Sequence, residues 1–137
     1  DGYSGRNSAA ALASLNKCLT YGKPKKIVWL MGMNDADGNG VNASWMSVYN
    51  SLTEICEKNK IELILATVPN VPVRNHTYKN EIIRNSGMRY IDVCNAVGAD
   101  DDANWFAGLL GGDKVHPSTI GSVAIANYIA NNLPEIM

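Results

Sequence analysis

Three short, largely apolar runs separated by helical patterns constrain the fold of this chain more than any other feature. The runs cover residues 26–32, 61–69 and 88–97, and each contains β-branched side chains. Between them lie longer segments in which apolar residues recur three or four positions apart, the pattern of an amphipathic helix. Continuously apolar runs suit strands that are buried on both faces, as in a parallel sheet. The alternation therefore predicts an α/β fold with a parallel sheet.

Four helical segments complete the predicted order. They cover residues 7–22, 43–59, 77–87 and 117–133. Asn7 or Ser8 is expected to cap the first helix and Ser44 the second, and Pro117 suits the first turn of the last. The order αβαβαβα contains only three strands and opens on a helix, whereas such a sheet normally has more. We therefore expect residues 1–137 to form a single domain that is incomplete at its N-terminal end.

Composition and charge exclude several kinds of partner. The formal net charge is -1 and there is no basic block, so nucleic acid is not an expected partner. No apolar run approaches the ~18 residues of a membrane-spanning helix. Cys18, Cys56 and Cys94 form no CxxC pair and are expected to be small buried hydrophobes. No signal-peptide pattern is visible, and localisation stays open between cytoplasmic and secreted.

The stretch MGMNDADGNGVN, residues 31–42, has two interpretations. In the first it begins a calcium-binding loop, whose early positions are matched by Asp35, Asp37, Asn39 and Gly40. The twelfth position of that loop is Met46, which cannot ligate calcium, and a predicted strand rather than a helix precedes the loop. A polar, glycine-rich turn is therefore expected rather than a calcium site.

The second interpretation makes the same stretch part of a catalytic pocket. Gly32, Asn34 and Asp35 directly follow the first predicted strand. Ligands of parallel sheets bind beyond the carboxyl ends of the strands. The amide nitrogen of Asn34 could there donate to an oxygen that becomes negative during acyl transfer. Asparagine is also a common turn former, so this residue alone does not decide the question.

A candidate acid–base pair precedes the last predicted helix, in GGDKVHPS at residues 111–118. Asp113 and His116 are three positions apart, so a turn can bring their side chains together. A carboxylate bound to one imidazole nitrogen leaves the other as a general base. A surface turn with His116 capping the helix is the alternative, and the spacing favours neither. The other histidine, His76, could line a substrate groove with Arg74, but a solvated loop residue is expected instead.

Three motifs in this order resemble the SGNH, or GDSL-like, hydrolase family. YSGRNSAAAL at residues 3–12 resembles the second block of the family, with Gly5 as its glycine. MGMND resembles the third block with Asn34, and DKVHP resembles the fifth with Asp113 and His116. The resemblance spans essentially the whole chain. It implies a flavodoxin-like three-layer α/β/α fold with a parallel sheet whose N-terminal strands are missing.

The resemblance also implies a function and a set of roles. His116 would be the general base, and Asp113 would orient it. The backbone N–H of Gly5 and the side chain of Asn34 would donate in an oxyanion hole. The implied reaction is hydrolysis of a small carboxylic ester through an acyl-serine intermediate, with no metal or organic cofactor. Asp35 would then brace its loop rather than bind a metal.

The chain departs from the family in having no Gly-Asp-Ser motif, which carries the nucleophilic serine. Ser4, Ser8 and Ser118 lie near the other motifs, but we expect them to be turn and cap residues. The nucleophile is therefore expected upstream, in a missing N-terminal segment or a companion fragment. Two alternatives stay open: a non-catalytic carbohydrate- or acyl-binding relative, and a flavodoxin-like module that binds phosphate or a nucleotide.

Overall fold

A parallel three-stranded sheet forms the centre of the molecule. The computed structural model describes residues 4–99 and 102–136, so Tyr3 of the first motif block lies outside the described residues. The strands lie in the order β1 (Lys26–Trp29), β2 (Glu62–Ala66) and β3 (Tyr90–Ile91). Both strand pairs are parallel. The prediction of an α/β fold with a parallel sheet is confirmed.

Five α-helices of the described residues flank this sheet. They are α1 (Ser8–Leu19), α2 (Ala43–Lys58), α3 (Thr77–Arg84), α4 (Val93–Val97) and α5 (Thr119–Asn132), followed by a 3-10 turn at Pro134–Ile136. None of the helices in the described part of the chain combines the length and the apolar character that crossing a membrane requires.

The observed helix caps agree in part with the predicted ones. Asn7 caps α1 by accepting the N–H of Ala10, as predicted. The prediction of Ser44 as the cap of α2 was wrong, because Asn42 accepts the N–H of Trp45. The Asn42 side chain also donates to the Ala36 carbonyl, which fixes it at the helix start.

The last helix begins at Thr119, two residues later than predicted. Ser118 caps α5 by accepting the N–H of Gly121. Pro117 therefore lies before the helix and not in its first turn.

The third predicted strand is two elements. β3 contains only Tyr90–Ile91, and α4 starts after Asp92. The Asp92 carboxylate binds the hydroxyl of Thr67 and the guanidinium of Arg84, and the N–H of Cys94 donates to the same hydroxyl. These bonds turn the chain out of the sheet. The apolar residues that follow are buried on one face of α4. A run this short has no periodicity by which a helix can be told from a strand.

The core has one cluster on each face of the sheet. On one face, α1 and α2 pack against β1 and β2 around Trp29, Trp45 and Leu52. On the other face, α5 packs against Ile64 and Ile91. Two cysteines are buried in this packing, as expected. Cys18 is exposed, so the expectation that it would be a buried hydrophobe was wrong.

The direction of α5 fixes which edge of the sheet its first residue faces. Glu135, just beyond the end of α5, forms ion pairs with Lys26 at the start of β1 and with Arg89 just before β3. The C-terminal end of α5 therefore lies at the amino ends of the strands. The fourteen residues of α5 span about 21 Å, so its N-terminus lies at the carboxyl ends. The turn at residues 113–118 and the loop after β1 thus share one edge of the sheet.

Candidate active site

A hydrogen-bonded carboxylate–imidazole pair lies just before α5. His116 Nδ1 is 2.6 Å from Asp113 Oδ2. Asp113 Oδ1 accepts the backbone N–H groups of Val115 and His116, each at 2.9 Å. Hydrogen bonds from the His116 side chain and from these two backbone groups hold the pKa of Asp113 well below its usual range. Asp113 is therefore a carboxylate at neutral pH and can hold the imidazole with Nδ1–H as donor.

The turn that carries the pair is fixed to the start of α5. Gly111 N–H donates to the carbonyl of His116 at 2.7 Å, and the backbone N–H of Ser118 donates to the carbonyl of Leu109 at 2.8 Å. Gly111 fits closely, because a Cβ there would lie 2.7 Å from the His116 carbonyl oxygen. The Ser118 hydroxyl donates to the Gly108 carbonyl at 2.6 Å. Ser118 thus acts as a helix cap, as predicted.

Asn34 lies in the loop after β1 with both ends of its carboxamide bound. Its Nδ2 donates to the carbonyl oxygen of Arg6 at 2.9 Å, and its Oδ1 accepts from Arg74 Nη1 at 2.9 Å. Gly5, the residue before Arg6, has a φ of +73°, a conformation that favours glycine. Asn34 and the turn at Gly5 are therefore joined through Arg6. No described contact connects either residue to His116, although all three lie at one edge of the sheet.

The carboxylate of Asp35 joins this loop to the start of α1. Its Oδ2 accepts the backbone N–H of Ser8 at 2.9 Å and the hydroxyl of Ser8 at 2.7 Å. Both residues are buried. Asp35 thus braces the loop in the manner that the resemblance implies. Because the Ser8 hydroxyl is buried and donates to Asp35, this serine serves the structure of the loop.

The polar turn with the calcium-like spacing binds a lysine of the same chain. Asp37 Oδ1 accepts the N–H of Asn42, and Oδ2 accepts the backbone N–H of Lys79, each at 2.9 Å. The Lys79 ammonium donates to the Asp35 carbonyl at 2.5 Å and lies 3.6 Å from Asp37 Oδ1. Across residues 4–99 and 102–136, no three His, Cys, Asp or Glu side chains are grouped where they could share a metal ion. The two carboxylates of the turn therefore bind protein donors.

His76 is buried, so the prediction of a solvated loop residue was wrong. Its ring Nδ1 lies 2.9 Å from the Lys79 ammonium, and its backbone N–H donates to Asn70. Among the described residues, Nε2 has no hydrogen-bond partner. The reason for its burial is a tight turn, in which Val71 and Arg74 exchange backbone hydrogen bonds and fold the segment inward. Burial, together with the charges of Lys79 and Arg74, lowers the pKa of His76 to about 3.

We expect this buried histidine to make the protein sensitive to acid. The unfolded chain binds a proton at His76 near pH 6.5, whereas the folded chain binds it only near pH 3. Stability contributed by neutral His76 is therefore complete above pH 6.5 and is lost as the pH falls, by up to about 1.4 kcal/mol per pH unit. Urea unfolding of wild-type protein and of His76→Asn at pH 7 and pH 5 measures this, since asparagine keeps an acceptor for Lys79 without titrating.

The exposed histidine provides the matched control for this experiment. His116→Asn replaces an exposed imidazole and should keep the acid sensitivity of wild-type protein. The expectation about His76 would be contradicted if His76→Asn lost as much stability between pH 7 and pH 5 as wild-type protein does.

Two buried polar residues of α3 were not singled out in the sequence, namely Lys79 and Asn80. The Asn80 carboxamide accepts the N–H of Val68 at 2.7 Å and donates to the carbonyl of Val68 at 2.8 Å. It therefore holds the chain just beyond β2 as a neighbouring strand would. The available signal was positional, because both residues lie three or four positions before Ile83 on the buried face of the helix.

An apolar groove follows β1, and none of its lining residues comes from β2. It has a volume of about 530 Å³ and lies between α1 and the strand. Its lining includes Ala11, Leu15, Cys18, Ile27, Trp29 and Met31. At one end it reaches Arg6 and Asn34. Within the described residues β1 pairs with β2 alone, so its other edge has no neighbouring strand.

Solved structures provide the comparison that bears on this geometry. A protein from Desulfitobacterium hafniense DCB-2 assigned to the lipolytic G-D-S-L family superposes with a TM-score of 0.75 at 19% identity, over 93% of this chain and 76% of that one. A GDSL-like lipase from Bacteroides thetaiotaomicron VPI-5482 gives a TM-score of 0.72 at 18% identity, over 100% and 75%. The chain has the fold of the SGNH, or GDSL-like, hydrolases.

Further comparisons agree with this fold and limit what it implies. A lipase/acylhydrolase from Enterococcus faecalis superposes with a TM-score of 0.70 at 23% identity, over 96% of this chain and 72% of that one. No protein-family model matches the sequence, and no curated protein matches it. At these identities the likeness establishes the SGNH hydrolase fold, and part of each neighbour has no counterpart in this chain.

Proposed function

We propose that this chain carries the general base and the oxyanion donors of a serine ester hydrolase of the SGNH type. The observation that carries the proposal is the 2.6 Å hydrogen bond between His116 and Asp113 at the edge of the sheet where Asn34 also lies. The fold likeness to lipases and acylhydrolases supplies the reaction class. The substrate is a small carboxylic ester.

The proposed reaction is acyl transfer to a serine followed by hydrolysis. Nε2 of His116 takes the proton of the serine hydroxyl as the oxygen attacks the carbonyl carbon, and Asp113 stabilises the imidazolium. The oxyanion accepts from the backbone N–H of Gly5 and from Asn34 Nδ2, which carries two hydrogens and uses one to bind Arg6. His116 then protonates the leaving alcohol as the ester C–O bond breaks. A water molecule, deprotonated by His116 in the same way, then attacks the acyl-serine. His116 returns the proton to the serine oxygen as the carboxylic acid is released.

The nucleophilic serine is proposed to come from a segment outside this sequence that pairs with β1. The groove along β1 is apolar, and the strand edge beside it has no partner among the described residues. A strand laid parallel to β1, as in a flavodoxin-like sheet, would end beside Asn34, where the groove also ends. A residue directly after that strand would therefore lie within reach of the oxyanion donors. This placement supports a nucleophile on a segment other than the described residues, and the resemblance to the family is what puts that segment upstream.

A fluorophosphonate probe tests the proposed function. The full-length protein that contains this chain would be labelled and digested, and the modified serine located by mass spectrometry. One adduct on a serine upstream of Asp1, abolished in His116→Ala, is the expected result. An adduct on Ser4, Ser8 or Ser118 would contradict the proposed nucleophile. No adduct together with no ester hydrolysis would overturn the assignment as a hydrolase and favour a binding module.

A further inference from the structure

The carboxamide of Asn34 is held by one acceptor and one cation. On one side, the carbonyl oxygen of Arg6 accepts from Nδ2 at 2.9 Å. On the other side, Arg74 Nη1 donates to Oδ1 at 2.9 Å and lies 3.3 Å from the carbonyl oxygen of Met33. Arg74 thus contacts both the Asn34 side chain and the backbone of the preceding residue.

These two contacts allow only one orientation of the amide. A guanidinium group has donors and no acceptor, and a backbone carbonyl has acceptors and no donor. A flipped Asn34 would place its NH₂ against Arg74 and its oxygen against the carbonyl of Arg6, so both hydrogen bonds would become repulsive. The NH₂ group therefore faces the turn that contains Gly5. Without Arg74, only the carbonyl of Arg6 would distinguish the two orientations of the Asn34 amide.

Arg74 is itself held by a compact turn. Its backbone N–H and carbonyl exchange hydrogen bonds with Val71 at 3.0 and 3.1 Å. The next residue, Asn75, accepts the N–H of Asp37 at 2.8 Å, which ties the turn to the loop of Asn34. The Lys79 ammonium of α3 also donates to the carbonyl of Asp35 in the loop of Asn34. The guanidinium therefore approaches Asn34 from a backbone that is fixed to the same loop.

We propose that Arg74 is a positioning residue that sets the orientation of the Asn34 amide as an oxyanion donor. The inference rests on the proposed function, because the orientation is useful only where Nδ2 meets a developing negative charge. The guanidinium also polarises the amide through Oδ1, which strengthens donation by its N–H groups. Arg74 acts through Asn34 and is assigned no contact with the substrate.

The test combines kinetics with an observation that needs no activity. In the full-length protein, Arg74→Met should lower kcat by about 10–100-fold with little change in KM, since losing an entire oxyanion donor costs ~10²–10³. Arg74→Lys should retain part of kcat. The side-chain ¹⁵N–¹H signals of Asn34 should shift and exchange faster with solvent in Arg74→Met than in wild-type protein.

A second arginine supplies the matched control. Arg84 donates two hydrogen bonds to Asp92, so Arg84→Met also removes a partly buried ion pair. Arg84→Met should leave the Asn34 side-chain signals and kcat unchanged. Unmoved Asn34 signals in Arg74→Met, or a raised KM with unchanged kcat, would overturn the inference. If wild-type protein hydrolyses no ester, the proposed function fails, and the Asn34 signals alone decide whether Arg74 orients the amide.

Discussion

Replacing His116 with alanine is expected to lower kcat/KM for a short-chain ester by about 10²–10⁴-fold. Without the imidazole, no group takes the serine proton, and the alcohol leaves without being protonated. The assay uses a chromogenic ester and a protein that includes the segment proposed to carry the nucleophilic serine, and unfolding midpoints should be compared in parallel. The midpoint should hardly change, because the His116 side chain is 77% exposed. Activity within a few-fold of wild type would contradict the assignment of His116 as the base.

The role of Asp113 beside His116 is tested by Asp113→Asn with a matched control variant. Asp113→Asn removes the charge that stabilises the imidazolium and lets the ring adopt the other tautomer. Asp102 is an exposed carboxylate that accepts the N–H of Asn104 two residues on, as Asp113 does with Val115. Asp102→Asn therefore repeats the local change without a histidine and should leave kcat/KM unchanged. Equal losses in both variants would indicate a role in the turn alone.

The contact between Asp113 and His116 could be expected from the sequence because its geometry is local, although the spacing did not decide its role. Asp113 and His116 are three residues apart, and a turn of that length brings the two side chains together whatever the rest of the chain does. The parallel sheet could be predicted for a similar reason, since its strands are continuous apolar runs. For both features the decisive information lies within a few consecutive residues.

The surroundings of Asn34 could not be predicted, because its partners are distant in sequence. Arg74 lies 40 positions away, and only the tight turn at Val71 brings it to Asn34. The burial of His76 depends on the same turn. Lysine in a helix is normally solvated, so the four-residue spacing of Lys79 from Ile83 was too weak a signal to predict its burial beneath the loop. α4 was missed because the hydrogen bonds that turn the chain at Asp92 come from Thr67 and Arg84.

Lys79→Met is expected to destabilise the protein by about 3–5 kcal/mol. The Lys79 and Asp37 side chains are both fully buried, so removing the ammonium leaves a buried carboxylate without its counter-charge. Methionine fills most of the volume of the aliphatic stem, which packs beneath Gly32, so the loss reflects charge and hydrogen bonding rather than a cavity. Urea unfolding monitored by tryptophan fluorescence measures the change in the free energy of unfolding. Since small domains have roughly 5–15 kcal/mol of stability, this is a large share.

Two further variants separate the ion pair from a general effect of losing a lysine. Lys58→Met changes an exposed residue at the end of α2 and should stay within about 0.5 kcal/mol of wild type. Combining Lys79→Met with Asp37→Asn should recover part of the loss, because neither partner is then a lone buried charge. A loss below ~1 kcal/mol in Lys79→Met would contradict the expectation. Such a result would mean that the hydrogen bonds of Asp37 to the backbone N–H groups of Asn42 and Lys79 hold the loop without the ammonium.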